Sequence, residues 1–385
     1  MTWTGMTNMK FLVKNDEFGP EYVVRVYDRK TGMRGVLVID NTALGPGKGG
    51  IRMTPDITEE EVYRLARTMT WKNALAGIPF GGAKSGVVLP KGTSPEKKKE
   101  LLQAFAKKIM PFLPKKYIGG PDVNTGEREM QWIVEATGSW RSVTGKPANL
   151  CMVSFGKKGE KCGIPHEFGS TGFGVAHAAK VAAELSRIPI KGATVAIHGF
   201  GNVGTFAYKF LTEMGAKVVA IANHEGALYA KNGFDKKQLT RMIDARAPLL
   251  NYKGAKKISS EAFWSVPVDI LIPASVTDVI HEGNKKHIRA KIIVEGGNIP
   301  MREPIENEFW KKGIIIVPDF VANAGGVISS YAEYRGYNPK RMFELVEKRI
   351  VSATRTVLVR AMKTKKNPRA VAMEIAKERV RERMK

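Results

Sequence analysis

The chain has 385 residues, of which 62 are lysine or arginine and 37 are aspartate or glutamate, so its formal net charge is +25. Apolar residues make up 43% of the chain, which excludes disorder caused by low hydrophobicity, and this length is typical of two domains. No run approaches the ~20 apolar residues of a membrane-spanning helix, and residues 1–10 lack the pattern of a signal peptide, so we expect a cytoplasmic protein without a membrane partner.

The first part of the chain mixes short β-like runs with helices. The β-like runs cover Tyr22–Tyr27 and Gly35–Ile39 and lead to a glycine-rich turn. Thr58 and Glu61 form a capping box, which predicts a helix that begins there and continues with apolar residues at helical spacing. A second helix is predicted from Ser94.

Strands and helices alternate after residue 170, which predicts βαβ units and a parallel sheet. The predicted helices are Thr171–Leu185 and Val203–Met214, and the predicted strands are Ala193–His198, Lys217–Ala222, Val268–Ile272, Lys291–Val294 and Ile314–Val317. From Asn338 onward the pattern is helical and basic.

A dinucleotide-binding loop is predicted after the first of these strands. Gly199, Gly201 and Gly204 form a G-x-G-x-x-G pattern between an apolar strand and a helix. Such glycines allow a tight turn, close approach of a pyrophosphate and packing of the helix on the strand, while the helix N-terminus offers free N–H groups. A strand–turn–helix without a ligand is the alternative. About 20 residues on, where NAD sites often carry a carboxylate, stands Asn223, which favours NADP slightly over NAD.

Three lysines with unusual neighbours suggest an anion site. Lys48 and Lys84 are flanked by glycines, and Lys72 borders the apolar stripe of the helix that begins near residue 58. A substrate with two carboxylates needs two fixed cations, and a third lysine whose pKa is lowered by burial and by its neighbours can act as a base. The alternative for each lysine is a solvated side chain.

Two polar segments complete the candidate site. Asp122 lies in a glycine-rich loop, where it is either a turn residue or, beside a cationic lysine, a group that transfers protons. The segment 323–327 leads to Ser330 near the start of a predicted helix, and helix capping and packing are its alternative role.

The two cysteines are too few for a disulfide framework. We expect Cys151 and Cys162 to be reduced thiols in a reducing compartment. Together with His166 they offer metal-binding atoms, but their spacing fits no standard metal site, so we predict no metal.

These motifs occur in an order that resembles the glutamate/leucine/phenylalanine/valine dehydrogenase family, and within it the enzymes that act on glutamate. The resemblance covers roughly residues 20–345 and rests on the segments 45–53, 71–86, 120–125, 170–175, 199–204 and 323–327.

The resemblance implies an NAD(P)-dependent oxidoreductase that interconverts L-glutamate with 2-oxoglutarate and ammonium. It assigns to Lys84 the activation of water and the stabilisation of the carbinolamine, and to Asp122 the donation and acceptance of protons. It assigns Lys72 to the substrate α-carboxylate, and Lys48 with Ser330 to the side-chain carboxylate. Relatives that use leucine or phenylalanine have an apolar residue in place of Lys48, so Lys48 favours glutamate.

The resemblance also implies the cofactor contacts. It places Thr171 and Asn298 near the nicotinamide. Its pyrophosphate loop corresponds to Gly199, Gly201, Asn202, Val203 and Gly204. Two departures concern this cofactor site: Asn223 replaces a commoner aspartate, and the segment 295–302 differs from the sequence usual in relatives.

The fold implied by the resemblance is α/β with two domains. A Rossmann-type NAD(P)-binding domain covers 166–339. An α/β substrate-binding and oligomerisation domain covers 1–165 plus 340–385, because the last helices return to it. A homo-hexamer is expected.

The alternatives are a dehydrogenase of the same family for aspartate or a branched-chain amino acid and, from another class, a basic nucleic-acid-binding protein. Residues 348–385 hold 13 lysines and arginines against 3 glutamates. The other excess charges are dispersed in pairs, and no aromatic-interleaved basic motif or zinc module is present, so a solvated lysine-rich surface is favoured over a nucleic-acid partner.

Overall fold

The structure of the protein is a computed structural model that describes residues 15–152, 161–165 and 168–384. It divides into two compact units. The first comprises Met1–Ala74, Ile78–Pro165 and Arg379–Lys385, and the second comprises Leu75–Gly77 and His166–Glu378. Across the described ranges, no helix is both long and apolar enough to cross a membrane.

The first unit is built around a mixed sheet. The strands of this sheet are β1 (Tyr22–Asp28), β2 (Met33–Asn41), β3 (Gly47–Lys48), β4 (Ile51–Thr54), β5 (Gly81–Val88) and β6 (Tyr117–Ile118). A separate two-stranded sheet consists of β7 (Cys151–Met152) and β8 (Lys161–Cys162), and the helices of the unit are α1 (Glu59–Ala76), α2 (Pro95–Lys108) and α3 (Glu127–Thr137). The order in the sheet is β1-β2-β5-β3-β6, and β4 also pairs with β5. The two predicted β-like runs are β1 and β2.

Both predicted helix starts are confirmed. The Thr58 hydroxyl accepts a hydrogen bond from the Glu61 N–H at 3.1 Å at the start of α1. The Ser94 hydroxyl accepts one from the Lys97 N–H at 3.2 Å at the start of α2. Each bond satisfies an N–H group that has no partner within its own helix.

Helices cover both faces of this sheet. On one face, Val62 of α1 packs against Val36 and Val38 of β2. On the other face, α2 contributes Leu102 and Phe105 to a core shared with strands β2, β4 and β5 and with α3. The sheet is therefore a packed central layer, and only small residues fit where a helix approaches it closely.

The second unit holds the predicted parallel sheet. Its strands are β9 (Thr194–His198), β10 (Lys217–Asn223), β11 (Gly226–Tyr229), β12 (Lys256–Ile258), β13 (Ile270–Pro273), β14 (Ile292–Val294) and β15 (Ile315–Val317). Its helices are α4 (Ser170–Leu185), α5 (Asn202–Glu213), α6 (Lys236–Asp244), α7 (Ser260–Trp264), α8 (Glu303–Lys311), α9 (Asp319–Ala322), α10 (Gly325–Arg335), α11 (Pro339–Thr364) and α12 (Pro368–Met384), the last of which ends in the first unit.

The strand order confirms a Rossmann-type sheet. The order is β12-β11-β10-β9-β13-β14-β15, with parallel pairing from β10 to β15 and antiparallel pairing of β11 and β12. The chain goes from β9 to β10 on one side and reaches β13 on the other side of β9. Ligands of open α/β sheets bind where the order reverses in this way, at the carboxyl ends of the strands.

The predicted domain bounds, which stay predictions, divide the C-terminal helices differently from the compact units. Both divisions separate residue 165 from residue 166, but the compact units place residues 340–378 in the second unit and only Arg379–Lys385 in the first. The physical reason is α11, which buries Val346, Ile350 and Val357 and packs against α4 and α10. The substrate-binding and oligomerisation roles of the predicted domains stay predictions.

The prediction of two reduced thiols is wrong. β7 and β8 pair antiparallel with Cys151 directly opposite Cys162, their Cα atoms are 3.9 Å apart, and the two sulfurs form a disulfide. Residues 153–160 and His166, the third member of the metal alternative, lie outside the described residues. Among the described residues, no group of three or more histidine, cysteine, aspartate or glutamate side chains is placed to hold a metal ion.

Candidate active site

The centre of the site in the first unit is an ion pair between Lys84 and Asp122. Lys84 lies on β5 and Asp122 follows β6, and Lys84 Nζ is 3.0 Å from Asp122 Oδ2. The Lys84 side chain is only 8% exposed. The Asp122 N–H donates to the Thr125 hydroxyl at 2.8 Å, and that hydroxyl bonds the Ile51 carbonyl at 2.6 Å, so the turn that carries the carboxylate is fixed.

Arg52 is a second cation on the same carboxylate. Its Nε lies 2.8 Å from Asp122 Oδ2, and its Nη1 binds Glu61 at the start of α1. On β4, Arg52 is in register with Gly86, two residues beyond Lys84, so both side chains leave the sheet on one face. Sequence reasoning gave Arg52 no role, although it lies in the glycine-rich segment that follows Lys48.

Burial and neighbouring charges shift the pKa values of Lys84 and Asp122 in different ways. Burial lowers the pKa of Lys84, and the Arg52 charge lowers it further, although the Asp122 carboxylate acts in the opposite direction. Burial raises the pKa of Asp122, but the Lys84 and Arg52 cations outweigh burial, so this pKa lies below its ordinary value. The pair therefore combines an ionised carboxylate with a lysine that loses its proton more easily than usual.

Lys48 extends the cationic face. It is buried on β3 and donates from Nζ to the Gly119 carbonyl at 2.9 Å. It is in register with Gly82 of β5, two residues before Lys84, so Lys48 and Lys84 share a face of the sheet. A Cβ on Gly120 would lie 2.4 Å from Lys48 Nζ, so this glycine leaves room for the ammonium group.

Lys72 lies on α1, the helix that covers this same face. The side chain of Lys72 is half-buried. Two residues earlier, Thr70 packs so closely on β5 that a Cβ on Gly82 would lie 2.0 Å from its hydroxyl. The first unit thus brings Lys48, Lys84 and Asp122 to one face of its sheet, and Lys72 lies on the helix that covers this face.

A pair of buried hydroxyl groups joins the strands beneath this site. Ser85 Oγ and Tyr117 Oη are 2.9 Å apart, and Tyr117 Oη donates to the Gly49 carbonyl at 3.2 Å. Ser85 directly follows Lys84, and Gly49 directly follows Lys48. The sequence carries no periodic signal for this pair, because Tyr117 lies on a two-residue strand.

The predicted dinucleotide loop of the second unit has the geometry that a pyrophosphate needs. Gly199 has φ +98° and would meet the Ala274 backbone at 2.6 Å if it carried a Cβ, and a Cβ on Gly204 would lie 1.9 Å from the Gly199 carbonyl oxygen. At Gly201, in contrast, no described atom lies within 4 Å of an added Cβ. Gly201 also precedes α5 without a side-chain cap, so the helix N-terminus faces open space with its N–H groups, and the loop fits a dinucleotide.

Two polar residues flank this loop. His198, the last residue of β9, has Nδ1 2.8 Å from the Ser275 hydroxyl, and burial lowers the pKa of His198 to about 4, so its ring is neutral. Sequence reasoning missed this pair. Asn223 ends β10, as the sequence spacing requires for a residue near the ribose, and its Oδ1 accepts a hydrogen bond from the Glu225 N–H at 2.9 Å.

The remaining predicted residues also lie in the second unit. Asn298 follows β14, and its Oδ1 accepts a hydrogen bond from Asn323 Nδ2 at 3.0 Å. Thr171 is in the first turn of α4, and a Cβ on Gly325 would lie 3.1 Å from its Cα, so the starts of α4 and α10 touch. Ser330 is buried on α10.

Comparison with known proteins agrees with the fold and with these motifs. Residues 162–385 match the family described as Glutamate/Leucine/Phenylalanine/Valine dehydrogenase, and residues 20–139 match its dimerisation domain. The chain is 38% identical to the glutamate dehydrogenase of Aeropyrum pernix over 90% of this chain and 84% of that protein. It is 40% identical to the NADP(+)-dependent glutamate dehydrogenase of Pyrobaculum calidifontis, over 78% and 72% of the two chains.

A solved structure shows the same fold. The hetero-hexameric glutamate dehydrogenase of Thermus thermophilus superposes with a TM-score of 0.78 at 27% identity, over 94% of this chain and 89% of that chain. The two family matches span most of the chain, and the relatives are similar to it at this level of identity. The two-domain architecture is shared as well. The chain belongs to the glutamate/leucine/phenylalanine/valine dehydrogenase family.

Proposed function

We propose that this chain catalyses the reversible oxidative deamination of L-glutamate, in which L-glutamate, water and NAD(P)⁺ give 2-oxoglutarate, ammonium, NAD(P)H and a proton. The observation that carries the proposal is the pair formed by buried Lys84 and half-buried Asp122, 3.0 Å apart, on the same sheet face as the buried Lys48. An acid–base pair and a fixed cation are what the deamination of an acidic amino acid requires.

The acid–base chemistry follows from the protonation of this pair. Neutral Lys84 takes a proton from the water that attacks the substrate Cα after its oxidation, and it stabilises the resulting carbinolamine. Asp122 donates and accepts protons at the substrate nitrogen, and it exchanges protons with Lys84 over 3.0 Å. NAD(P)⁺ held by the loop of the second unit would supply the hydride acceptor for the substrate Cα in deamination.

Substrate selection is proposed to depend on charge. Lys72 binds the α-carboxylate, and Lys48 with Ser330 binds the side-chain carboxylate. Lys48 is buried, so its ammonium strongly favours an anionic partner. A branched-chain substrate would leave this ammonium without its anion.

The cofactor is proposed to bind the second unit. The N–H groups at Asn202, Val203 and Gly204 bind the pyrophosphate beside Gly199 and Gly201, while Thr171 and Asn298 contact the nicotinamide. Asn223 lies near the adenosine ribose and carries no charge that would repel a 2′-phosphate, which favours NADP slightly over NAD. Relatives named as NADP(+)-dependent and as NAD-specific both occur.

A homo-hexamer is proposed for the assembly, and the related Thermus thermophilus enzyme is hetero-hexameric. The cytoplasm is proposed as the location. Because Cys151 and Cys162 form a disulfide, their thiols do not support that location. Mass photometry of the purified protein tests the assembly, and a dimer as the largest species would contradict the hexamer.

The activity is tested by following nicotinamide absorbance with 2-oxoglutarate, ammonium and each reduced cofactor in separate reactions. We expect oxidation of at least one cofactor, with 2-oxoglutarate preferred over the oxo acids of aspartate and of the branched-chain amino acids. Failure to oxidise either cofactor would refute the proposal. A preference for a branched-chain oxo acid would refute the role of Lys48.

The role of Lys84 is tested with Lys84→Met, which nearly keeps the length of the side chain and removes its charge. We expect kcat/KM to fall by about a thousandfold or more because the acid–base group is lost. Cofactor affinity, measured by nicotinamide fluorescence, is expected to stay unchanged, because Lys84 lies in the first unit and the dinucleotide loop in the second.

A further inference from the structure

A buried cluster of three carboxylates around one guanidinium lies in the second unit. Arg369, on α12, has Nη2 2.7 Å from Glu295, Nε 2.7 Å from Glu306 and Nη1 3.0 Å from Asp319. Glu295 and Glu306 are completely buried, and Asp319 is nearly so. None of these four residues has a role in the chemistry proposed above.

Arg369 holds both ends of the turn that follows β14. Glu295 begins this turn, and Ile299, near its end, donates its N–H to Asp319 Oδ2 at 2.9 Å. Glu295 Oε2 also accepts a hydrogen bond from the Asp319 backbone N–H at 2.7 Å, so the two residues are joined directly as well as through Arg369. The guanidinium therefore ties the segment 295–299 to the start of α9.

The turn needs this support because of its backbone conformation. Ile299 has φ +47°, in the left-handed region that is unfavourable for a β-branched residue. Ile299 is 43% exposed, so burial of the isoleucine does not hold the turn in place. The hydrogen bond from its N–H to Asp319 anchors it instead.

Asn298 lies inside this turn, immediately before Ile299. Asn323 Nδ2 donates to Asn298 Oδ1 at 3.0 Å and to the Gly297 carbonyl at 3.2 Å. The position of the Asn298 amide is thus set by the same turn whose two ends Arg369 holds.

We propose that Arg369 is a positioning residue which, through Glu295 and Asp319, fixes the 295–299 turn and thereby sets Asn298 against the nicotinamide end of the cofactor. This inference rests on the proposed function, in which Asn298 contacts the nicotinamide. Glu306 differs from the other two carboxylates because it binds the Nε side of the guanidinium, whereas Nη1 and Nη2 bind the residues that hold the turn.

The test compares two ligands of the same loop. Reduced NAD(P) is titrated by nicotinamide fluorescence, and ADP-ribose, which lacks the nicotinamide, is titrated by calorimetry. For Arg369→Gln in the full-length protein, we expect the affinity for reduced NAD(P) to fall about tenfold, as for the loss of one well-formed hydrogen bond. We expect the affinity for ADP-ribose to stay within error of the wild type.

Two further variants keep the test decisive. Asp319→Asn removes the charge that joins Arg369 to the turn at nearly constant volume, and the same selective loss is expected if Arg369→Gln does not fold. When both variants fold, the double variant should lose no more affinity than either single variant, because the two residues act through one turn.

The matched control is Arg360→Gln. Arg360 lies on α11 and also binds α12, through Glu374 and Glu378, but at the exposed surface. We expect this variant to bind both ligands like the wild type. Equal weakening of both ligands by Arg369→Gln, or no weakening of either, would overturn the inference. If the wild type binds ADP-ribose but neither NADH nor NADPH, the proposed function fails instead.

Discussion

Asp122 interacts with two cations of different kinds, and this arrangement bears on the proton of Lys84. The guanidinium of Arg52 stays charged at any pH of interest, whereas the pKa of the Lys84 ammonium is lowered by burial. When Lys84 loses its proton, Asp122 therefore keeps a charged partner 2.8 Å away. Arg52 removes the penalty of an unpaired buried carboxylate that deprotonation of Lys84 would otherwise create.

Replacing this second cation should change the pH dependence of activity. Arg52 lowers the pKa of Lys84, so Arg52→Gln is expected to raise that pKa and to move the rising limb of kcat/KM for glutamate to higher pH. If the limb moves up by about one pH unit, activity at a fixed pH on that limb falls about tenfold, because the neutral fraction of Lys84 falls by that factor.

The measurement is kcat/KM for glutamate deamination across the pH range. Arg25→Gln is the control, because Arg25 pairs with Glu59 at the start of α1 and is a partner neither of Asp122 nor of Lys84 in the described ion pairs. A limb that stays in place in Arg52→Gln while activity falls would mean that Arg52 only holds Asp122 in position.

Among the secondary-structure elements, α1 and β5 make a contact so close that a single added methyl group would disturb it. A Cβ on Gly82 would lie 2.0 Å from the Thr70 hydroxyl and 2.3 Å from the Thr70 backbone nitrogen. We expect Gly82→Ala to lose about 3 kcal/mol of unfolding free energy or more, because α1 must move away from the strand.

Chemical denaturation measures this loss. Gly201→Ala is the control, since an added Cβ there meets no described atom within 4 Å and φ is −88°. It should change stability by about 0.5 kcal/mol or less. Equal stability of Gly82→Ala and the wild type would show that α1 is packed less closely than the structure indicates.

The contact between α1 and β5 could not be predicted from the sequence, whereas the helix starts could. The capping residues Thr58 and Ser94 predict their helices because a cap is a local interaction. Glycine-rich β5 gives no strand signal, because its glycines are required by neighbouring elements rather than by the strand itself. Gly82 faces Thr70 of α1, and Gly81 faces the Asn41 carbonyl of β2. In the same way, the glycine pattern at 199–204 predicts a dinucleotide loop, whereas the role of Arg52 depends on strand register that no local pattern contains.

At α8, the cluster around Arg369 should make stability depend on pH. Burial, followed by the neighbouring Glu306 carboxylate, raises the pKa of Glu295 well above its ordinary value, and burial also raises the pKa of Glu306. A raised pKa in the folded state stabilises the protein below the ordinary pKa of glutamate, and this stabilisation is lost as pH rises through the folded pKa.

Glu306→Gln should therefore flatten the decrease in unfolding free energy as pH rises above the ordinary pKa of glutamate. The difference from the wild type is expected to be about 1 kcal/mol, which is the order of magnitude for one carboxyl group that titrates differently in the folded and unfolded states. Denaturation at several pH values measures it, with the exposed Glu303→Gln on the same helix as control. Parallel curves for Glu306→Gln and the wild type would contradict the prediction.

For the whole molecule, the net charge of +25 predicts a salt-sensitive attraction to any polyanion. Many of the paired lysines are exposed, among them Lys107 with Lys108 and Lys311 with Lys312. We expect electrophoretic shifts of DNA or RNA at about 50 mM salt to disappear by about 200 mM and to show no sequence preference. Binding that resists salt and selects a sequence would support a nucleic-acid partner instead.

Arg379–Lys385 belong to the first unit, although the second unit precedes them in the sequence. Arg381 pairs with Glu17 at 2.6 Å and lies over the Phe18 ring, and Arg379 donates to the Ala74 carbonyl at 2.9 Å. During synthesis, the ribosome therefore makes most of the first unit, then nearly all of the second, and only afterwards Arg379 and Arg381. Until the second unit has been translated, the first unit lacks these contacts.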